Sequence, residues 1–474
     1  MSNSISSLPS TTTTRARGVP PAPQPGTREF NQVELIVRLR RNPLTIWRKL
    51  HFTKPIISGK SLLGYGVVVS DPAAIRHILT ENAGNYRKDD LQRTVLAPGL
   101  GDGLLTAEGD VWRRTRRMVA PLFTPRRVAA MASSMMPAIE AMVTRLQRRR
   151  AGRVVDVSHD MTRVTYDVLA QTLFSNVIAG GASDFSAALT GYFETQGQID
   201  PLDILGAPAW VPRIGRIMAR PSISFFERKV TEIILERQAL LDRPDVDSPD
   251  DLLTALMNAR DPENGDGLTT PEVGANIVTF IGAGHETTAN VLTWALYLLS
   301  LAPDICEEIE READLVGTNS VAAALSGEGL VMTKAVIEET MRLYPPVPSL
   351  SRSAIAADRV AQTDIPKGAL VVIAPYVLHR HETLWDKPNL FRPERFLEPA
   401  RQTIDRYAYL PFGAGPRVCI GQQFAMVEAV MVLSTLVRHF RFSYAGDAPP
   451  EPLHRITLRP KGGMPMRMSP RTTQ

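Results

Sequence analysis

The sequence predicts a mainly α-helical protein with small β-sheets (α+β), folded as one large domain. Three observations carry this. The chain has 474 residues, 44% hydrophobic and 22% charged, the balance of a polypeptide that buries a sizeable core. Helical periodicity dominates residues 112–301, and its longest run, 269–301, would span roughly 45 Å at 1.5 Å per residue. β-type runs are short and scattered, at 62–69, 370–374 and 456–458. No internal repeat and no linker divides the body. The expected organisation is therefore a disordered Ser/Thr/Pro-rich tail at 1–28 and one domain over 29–474.

Taken in order, the tail has no apolar h-region, and no segment is apolar enough to span a bilayer. That argues against a secretory signal and a membrane anchor. Residues 33–50 mix apolar and basic side chains; packing on the body is expected rather than skimming a membrane surface. The run 62–69 reads as a strand, closed by Ser70-Asp71-Pro72 and followed by a helix. The long helix opens on Thr269-Thr270-Pro271-Glu272, which supplies an N-cap, a first-turn proline and a carboxylate at the positive end of the dipole. It stops before Ala302-Pro303. Turn signals such as Pro366-Lys367-Gly368 punctuate 359–381.

Charge and cysteine content exclude several classes. The formal charge is +5, from 54 basic against 49 acidic residues. The basic clusters (Arg113, Arg114, Arg116, Arg117, Arg126, Arg127; Arg148–Arg150) lack the aromatic platform or reading motif of a nucleic-acid binder. Cys306 and Cys419 are too few for a disulfide framework, so a reducing cytoplasmic compartment is expected.

The most specific stretch is Phe412-Gly413-Ala414-Gly415-Pro416-Arg417-Val418-Cys419-Ile420-Gly421. Its pattern Phe-x-x-Gly-x-Arg-x-Cys-x-Gly should arise by chance on the order of once in tens of thousands of such chains. A lone cysteine cannot build a zinc site or an iron–sulfur cluster, each of which takes about four ligands. It can be the single thiolate ligand of a haem iron. Gly413 and Gly415 permit a tight turn, Arg417 can meet a haem propionate, and Phe412 can shield the sulfur. Gly421 lets the next helix begin close to the ring, its free amides toward the sulfur. The bland alternative is a structural cysteine in a glycine-rich turn.

A second constellation lies in the middle of the long helix, Ala283-Gly284-His285-Glu286-Thr287-Thr288. Glycine and β-branched threonine weaken a helix, and a hydroxyl that competes for a backbone carbonyl can open a kink. A third is Glu339-Thr340-Met341-Arg342. The pattern Glu-x-x-Arg occurs three times (Glu308/Arg311, Glu339/Arg342, Glu398/Arg401), but only the second continues as Leu343-Tyr344-Pro345-Pro346 and is followed by Pro393-Glu394-Arg395-Phe396. The other two read as surface ion pairs.

Together, and in this order from about residue 33 onward, these stretches resemble the cytochrome P450 superfamily. The resemblance implies the P450 fold, with the long helix crossing over a haem b whose iron is bound by Cys419. It implies that Thr287 is the hydroxyl that handles dioxygen and that Glu286, where many bacterial members carry Asp, is the acid of the proton relay. Trp112 and Arg116, four residues apart on one helical face, resemble a Trp-x-x-x-Arg pair that contacts one propionate; Arg352 resembles the strand arginine that contacts the other. Glu339, Arg342 and Arg395 become a buried structural network. Residues 458–468 resemble a hairpin whose tip enters the substrate pocket. Phe280, Ala283, Val347, Leu350 and Met464 are then expected on its walls, which fall roughly in 88–105, 185–225, 276–284, 347–352 and 462–466. His285, His379 and His381 are expected to be ordinary histidines.

The implied protein is a cytoplasmic, monomeric, bacterial-type haem-thiolate monooxygenase. It would insert one atom of O2 into an apolar substrate, a fatty acid, terpenoid or similar lipophile. Electrons would come from a separate ferredoxin or flavodoxin with an NAD(P)H-dependent reductase. Arg113, Arg114 and Arg117 would rim the thiolate side as its docking surface. A peroxide-driven peroxygenase or haem-thiolate isomerase is the rival on the same fold; a haem-based sensor is the rival of another class.

Overall fold

The long helix is buried almost throughout its length, and the rest of the molecule is arranged around it. In the computed structural model, which describes residues 17–61, 64–175, 182–196, 212–243, 245 and 247–471, it runs from Thr270 to Ser300. Its start is a full capping box: the Glu272 carboxylate accepts from the Thr269 amide at 2.8 Å and the Thr269 hydroxyl accepts from the Glu272 amide. Its sequence has no polar face, because other helices cover every side. It packs most extensively on Val157–Phe174, and also on Val331–Leu343, Gln422–His439 and Ile214–Leu241.

The sheets sit at the edge of this helical body. The largest has the strand order Ile56–Ser61, Gly64–Val69, Leu370–Ile373, Leu350–Ala354, Tyr86–Arg87. Its one parallel pair, Gly64–Val69 with Leu370–Ile373, joins segments about 300 residues apart in the chain. A second sheet places Pro465–Pro470 between Val154–Asp156 and Phe440–Tyr444. The expected hairpin at 458–468 is not one hairpin: Leu458–Pro460 pairs with Pro452–His454, while Pro465–Pro470 belongs to the second sheet.

Residues 17–28, expected as part of a disordered tail, lie against the body; Arg17 bridges Asp304 at 2.7 Å and Glu394 at 2.6 Å. The expected packing of 33–50 holds only for its second half. Leu44, Trp47 and Phe52 are buried, whereas the Gln32–Arg41 helix buries no residue and leaves Val33 72% exposed.

Behind the helical core, Glu339 and Arg342 sit one turn apart on the Val331–Leu343 helix, both fully buried. Arg342 donates to the two Glu339 oxygens at 2.6 and 2.8 Å and to the carbonyls of His379, Pro388 and Leu390. Arg395 approaches the same carboxylate at 3.5 Å, and the Arg392 amide donates to it at 2.8 Å. One side chain thus ties a helix to the irregular segment 379–395. The other two Glu-x-x-Arg pairs do not close. Arg401 instead forms a bidentate pair with Glu338 at 2.6 and 2.8 Å, because that buried carboxylate gains more from a partner than exposed Glu398 would.

Glu339→Ala leaves two guanidiniums facing apolar surroundings. The variant is expected to lose about 3–5 kcal/mol of stability, read as a fall in the urea midpoint against the parent chain.

Candidate functional site

The Cys419 loop is held by backbone geometry. Gly413 and Gly415 both adopt φ of +70°, and a Cβ on Gly415 would lie 1.7 Å from the Leu79 carbonyl oxygen, so no other residue fits there. The Cys419 amide donates to the Phe412 carbonyl at 2.9 Å, which folds the loop back on itself. Gly421 then caps the Gln422–His439 helix, which places its amide close enough to the sulfur to lower the thiol pKa.

Cys419 is exposed by surface area, yet its thiol is enclosed by protein on all sides but one: it opens into a cavity of about 310 Å³ rather than onto bulk solvent. Burial pushes the thiol pKa up, while the Gly421 amide and the Arg116 charge pull it down. Phe412, Gly413, Gly421, Trp112, Arg116, Arg352 and Arg417 line the same cavity, so the loop, the Gly109–Val119 helix and the Leu350–Ala354 strand converge there as expected.

Arg417 is already engaged. It pairs with Glu108 at 2.8 Å, donates to the Ala107 carbonyl at 2.9 Å and stacks over Trp112 at 3.9 Å. Arg116 and Arg352 are different: neither forms an ion pair among the described residues, and Arg352 donates only to the Ser351 carbonyl. Burial depresses both guanidiniums. The cavity also holds a cation that sequence reasoning missed, Lys88. Burial, followed by the Arg417 and Arg352 charges, lowers its ammonium to about 7. Lys88 opens the wall segment expected at 88–105, but only the fold brings its charge beside the arginines.

A thiol at the floor of an apolar cavity and unpaired cations on its wall together fit a flat, largely apolar group with a metal centre and acidic arms. Haem is such a group. Among the described residues no set of three or more His, Cys, Asp or Glu side chains could hold a metal ion instead.

The opposite wall comes from the long helix, through Phe280, Ala283, Gly284, Thr287 and Thr288. That helix is unbroken from Thr270 to Ser300, so the expected kink is not a break in the helix. The Thr287 hydroxyl donates to the Ala283 carbonyl at 2.7 Å, a bond within the helical turn. Gly284 serves packing: a Cβ there would lie 2.9 Å from Leu169. Glu286 does not line the cavity. One residue is about 100° of helix, and its carboxylate instead accepts from the Thr457 hydroxyl at 2.7 Å, with the other oxygen unpartnered. Burial raises its pKa.

Val347 and Leu350 also line the cavity, with Leu104, Leu105 and Phe123. Met464 does not. Its amide is held by Asp156 at 2.8 Å and its side chain is fully buried in the main core, because the turn before it leans on the second sheet. Of the expected walls in 185–225, residues 197–211 lie outside the described residues. Arg113, Arg114 and Arg117 are not a free basic surface: they pair with Asp110, with Glu272, and with Asp261 at 3.0 Å and Glu263 at 2.8 Å respectively. His285 sits at 2.6 Å from the Ile281 carbonyl, and His379 accepts from the Leu410 amide.

A second acid escaped sequence reasoning. Glu428, on the helix that follows the cysteine loop, is fully buried with both carboxyl oxygens unpartnered and only the Thr288 hydroxyl nearby to influence it. Burial raises its pKa well above 4.5, so folding favours the neutral acid. The unfolded chain ionises from about pH 4.5 upward, so this group costs stability as pH rises above that value. Glu428→Gln removes the penalty. The melting temperature of the variant relative to the parent should therefore be higher at pH 8 than at pH 5; an equal difference at both would contradict a buried neutral acid.

A family profile described as Cytochrome P450 matches residues 20–466. Cytokinin hydroxylase of Arabidopsis thaliana is 32% identical over 405 residues, covering 85% of this chain and 78% of the relative. Cyclooctatin synthase of Streptomyces melanosporofaciens is 31% identical and covers 84% of each. The Arabidopsis thaliana protein LUTEIN DEFICIENT 5, chloroplastic, is 29% identical over 86% of this chain and 70% of its own.

Proposed function

The chain belongs to the cytochrome P450 superfamily and is an oxygen-incorporating oxidoreductase that works with haem; from that premise we propose that it hydroxylates a lipophilic substrate at the cavity between Cys419 and Thr287. The observation that carries this reading is the Cys419 thiol at the floor of an apolar cavity whose wall holds two guanidiniums, Arg116 and Arg352, without ion-pair partners among the described residues. Haem b would be held through Cys419, with its propionates toward Arg116, Arg352 and Lys88. Bound there, the haem supplies the redox chemistry that activates O2.

The chain's own residues orient, shield and move protons. The Gly421 amide and the Arg116 charge favour the thiolate form of Cys419. Phe280, Phe123, Leu104, Val347 and Leu350 exclude water from the reacting region and select an apolar partner, a fatty acid, terpenoid or similar compound. Thr287 presents an oxygen to the cavity while its proton is shared with the Ala283 carbonyl. Glu286 holds a proton to higher pH than a surface glutamate does. Turning its side chain from Thr457 toward Thr287 breaks one hydrogen bond, since its second oxygen has none.

Electrons come, in this reading, from a separate ferredoxin or flavodoxin reduced by an NAD(P)H-dependent enzyme. The chain's net charge of +5 favours association with such acidic donors. The two cysteines are both free, which suits a reducing cytoplasm.

Two experiments test the reading. In the reduced, carbon-monoxide-treated protein, Cys306→Ser should keep the strongly red-shifted Soret band of a thiolate-ligated haem and Cys419→His should abolish it. The opposite result would reassign the ligand. Thr287→Val preserves volume, so haem and substrate binding should survive. Product per NAD(P)H should fall by about 10²-fold or more, the usual worth of a positioned proton donor, with hydrogen peroxide accumulating in its place. Full coupling in this variant would leave the protons to Glu286 or water and would mean that Thr287 only shapes the helix.

A further inference from the structure

A second, smaller pocket of about 150 Å³ lies far from the cysteine loop in sequence, under the N-terminal segment 19–25, whose alternating prolines form its roof. This strap is fixed at both ends. Arg17 clamps it to Asp304 and Glu394, the Tyr344 hydroxyl donates to the Pro21 carbonyl at 2.8 Å, and the Lys49 amide donates to the Gly26 carbonyl at 2.9 Å.

At the pocket wall stands Arg380, 3% exposed, with no carboxylate at ion-pair distance among the described residues. Its single hydrogen bond is a long one, 3.4 Å to the Tyr376 carbonyl, and its Nε has no partner. The rings of Tyr376 at 4.2 Å and Tyr344 at 5.7 Å offset only part of the cost of burying that charge. The nearest buried carboxylate, Glu339, is saturated by Arg342, Arg395 and the Arg392 amide. Arg342 and Arg395 therefore take up that carboxylate, and Arg380 is left outside ion-pair distance of it. His379, between them in sequence and space, registers the excess: burial and the charges of Arg342 and Arg380 depress it to about 3. Lys49 adds a cation at the pocket mouth. Glu382, the one acid on the lining, is exposed, where solvent screens it.

We propose that the pocket under the proline strap is a binding site for one small oxyanion, an inorganic phosphate or sulfate or the carboxylate of a small acid, seated on Arg380 and approached past Lys49. A buried charge requires a counter-charge, and this pocket is the opening beside the one buried arginine of the group that has none. An anion there would tie the strap to the segment 376–389 and complete the charge balance behind Glu339.

The test uses the haem-loaded protein, so that the cations of the large cavity are covered. Equilibrium dialysis with radiolabelled inorganic phosphate, at constant ionic strength set with chloride, should show saturable binding near one per chain. Sulfate should compete; competition by acetate would extend the ligand class to carboxylates, and its absence would restrict the class to phosphate and sulfate. Arg380→Gln should abolish binding. Lys49→Ala, an exposed substitution that leaves the core intact, should weaken binding about tenfold, as loss of one charge-assisted contact does, and it decides the matter if Arg380→Gln does not fold. Lys461→Ala, on the opposite terminal segment and outside the pocket, should bind as the parent does. Absence of saturable binding by all three anions, or binding unchanged in Lys49→Ala, would mean an adventitious ion only and would overturn the proposal.

Discussion

A charge taken out of water must be matched, and this one constraint organises the structure at five places. Where a carboxylate is available the match is internal: Glu339 gathers Arg342, Arg395 and a backbone amide, and Glu338 takes Arg401. Where none is available the charge faces a cavity, as Arg116 and Arg352 do beside Cys419, and as Arg380 does under the proline strap. Where no cation is available the acid is kept neutral, as Glu428 is. The desolvation cost of an unmatched ion is several kcal/mol, a large fraction of a domain's net stability. These groups therefore mark where ligands belong more sharply than the apolar surfaces do.

The second organising element is the long helix. Because it is covered on every side, it can contribute opposite faces to different tasks. Thr287 and Ala283 face the cavity, Glu286 faces Thr457, and His285 packs on Tyr166. A cavity wall built on such an element is rigid, which is what a reaction sensitive to the position of one hydroxyl requires. The link between the two walls runs through the helix after the cysteine loop, where Glu428 neighbours Thr288.

Much of the site was legible because its residues sit close together in sequence. The cysteine loop was readable since a cysteine that follows two positive-φ glycines within a few residues has few other uses, and Gly415 against Leu79 carries that reason in its geometry. Glu339 and Arg342 were readable because one helical turn separates them. The misreadings share a cause: each assumed a direction for a side chain. Glu286, expected as the acid of the proton relay beside Thr287, turns from the cavity toward Thr457. Met464 was expected at a pocket wall and is buried in the core, since its strand joins a sheet rather than a hairpin. Arg113, Arg114 and Arg117 looked like a free basic surface, but Arg113 pairs locally with Asp110, and the acids of Arg114 and Arg117, namely Glu272, Asp261 and Glu263, are about 150 residues distant and invisible to local pattern.

The sequence by itself determined the helical class, the long helix with its cap and stop, the cysteine ligand loop and the Glu339–Arg342 pair. Each is encoded by neighbours within a few turns, where spacing fixes geometry. Only the tertiary structure decided which cations are paired and which are not, that Lys88 joins the cavity, that burial favours the neutral form of Glu428, and that Arg380 has no counter-charge at ion-pair distance among the described residues. Those properties depend on what lies within a few ångströms across hundreds of residues of chain, and on how much water is excluded there, neither of which is written in local order.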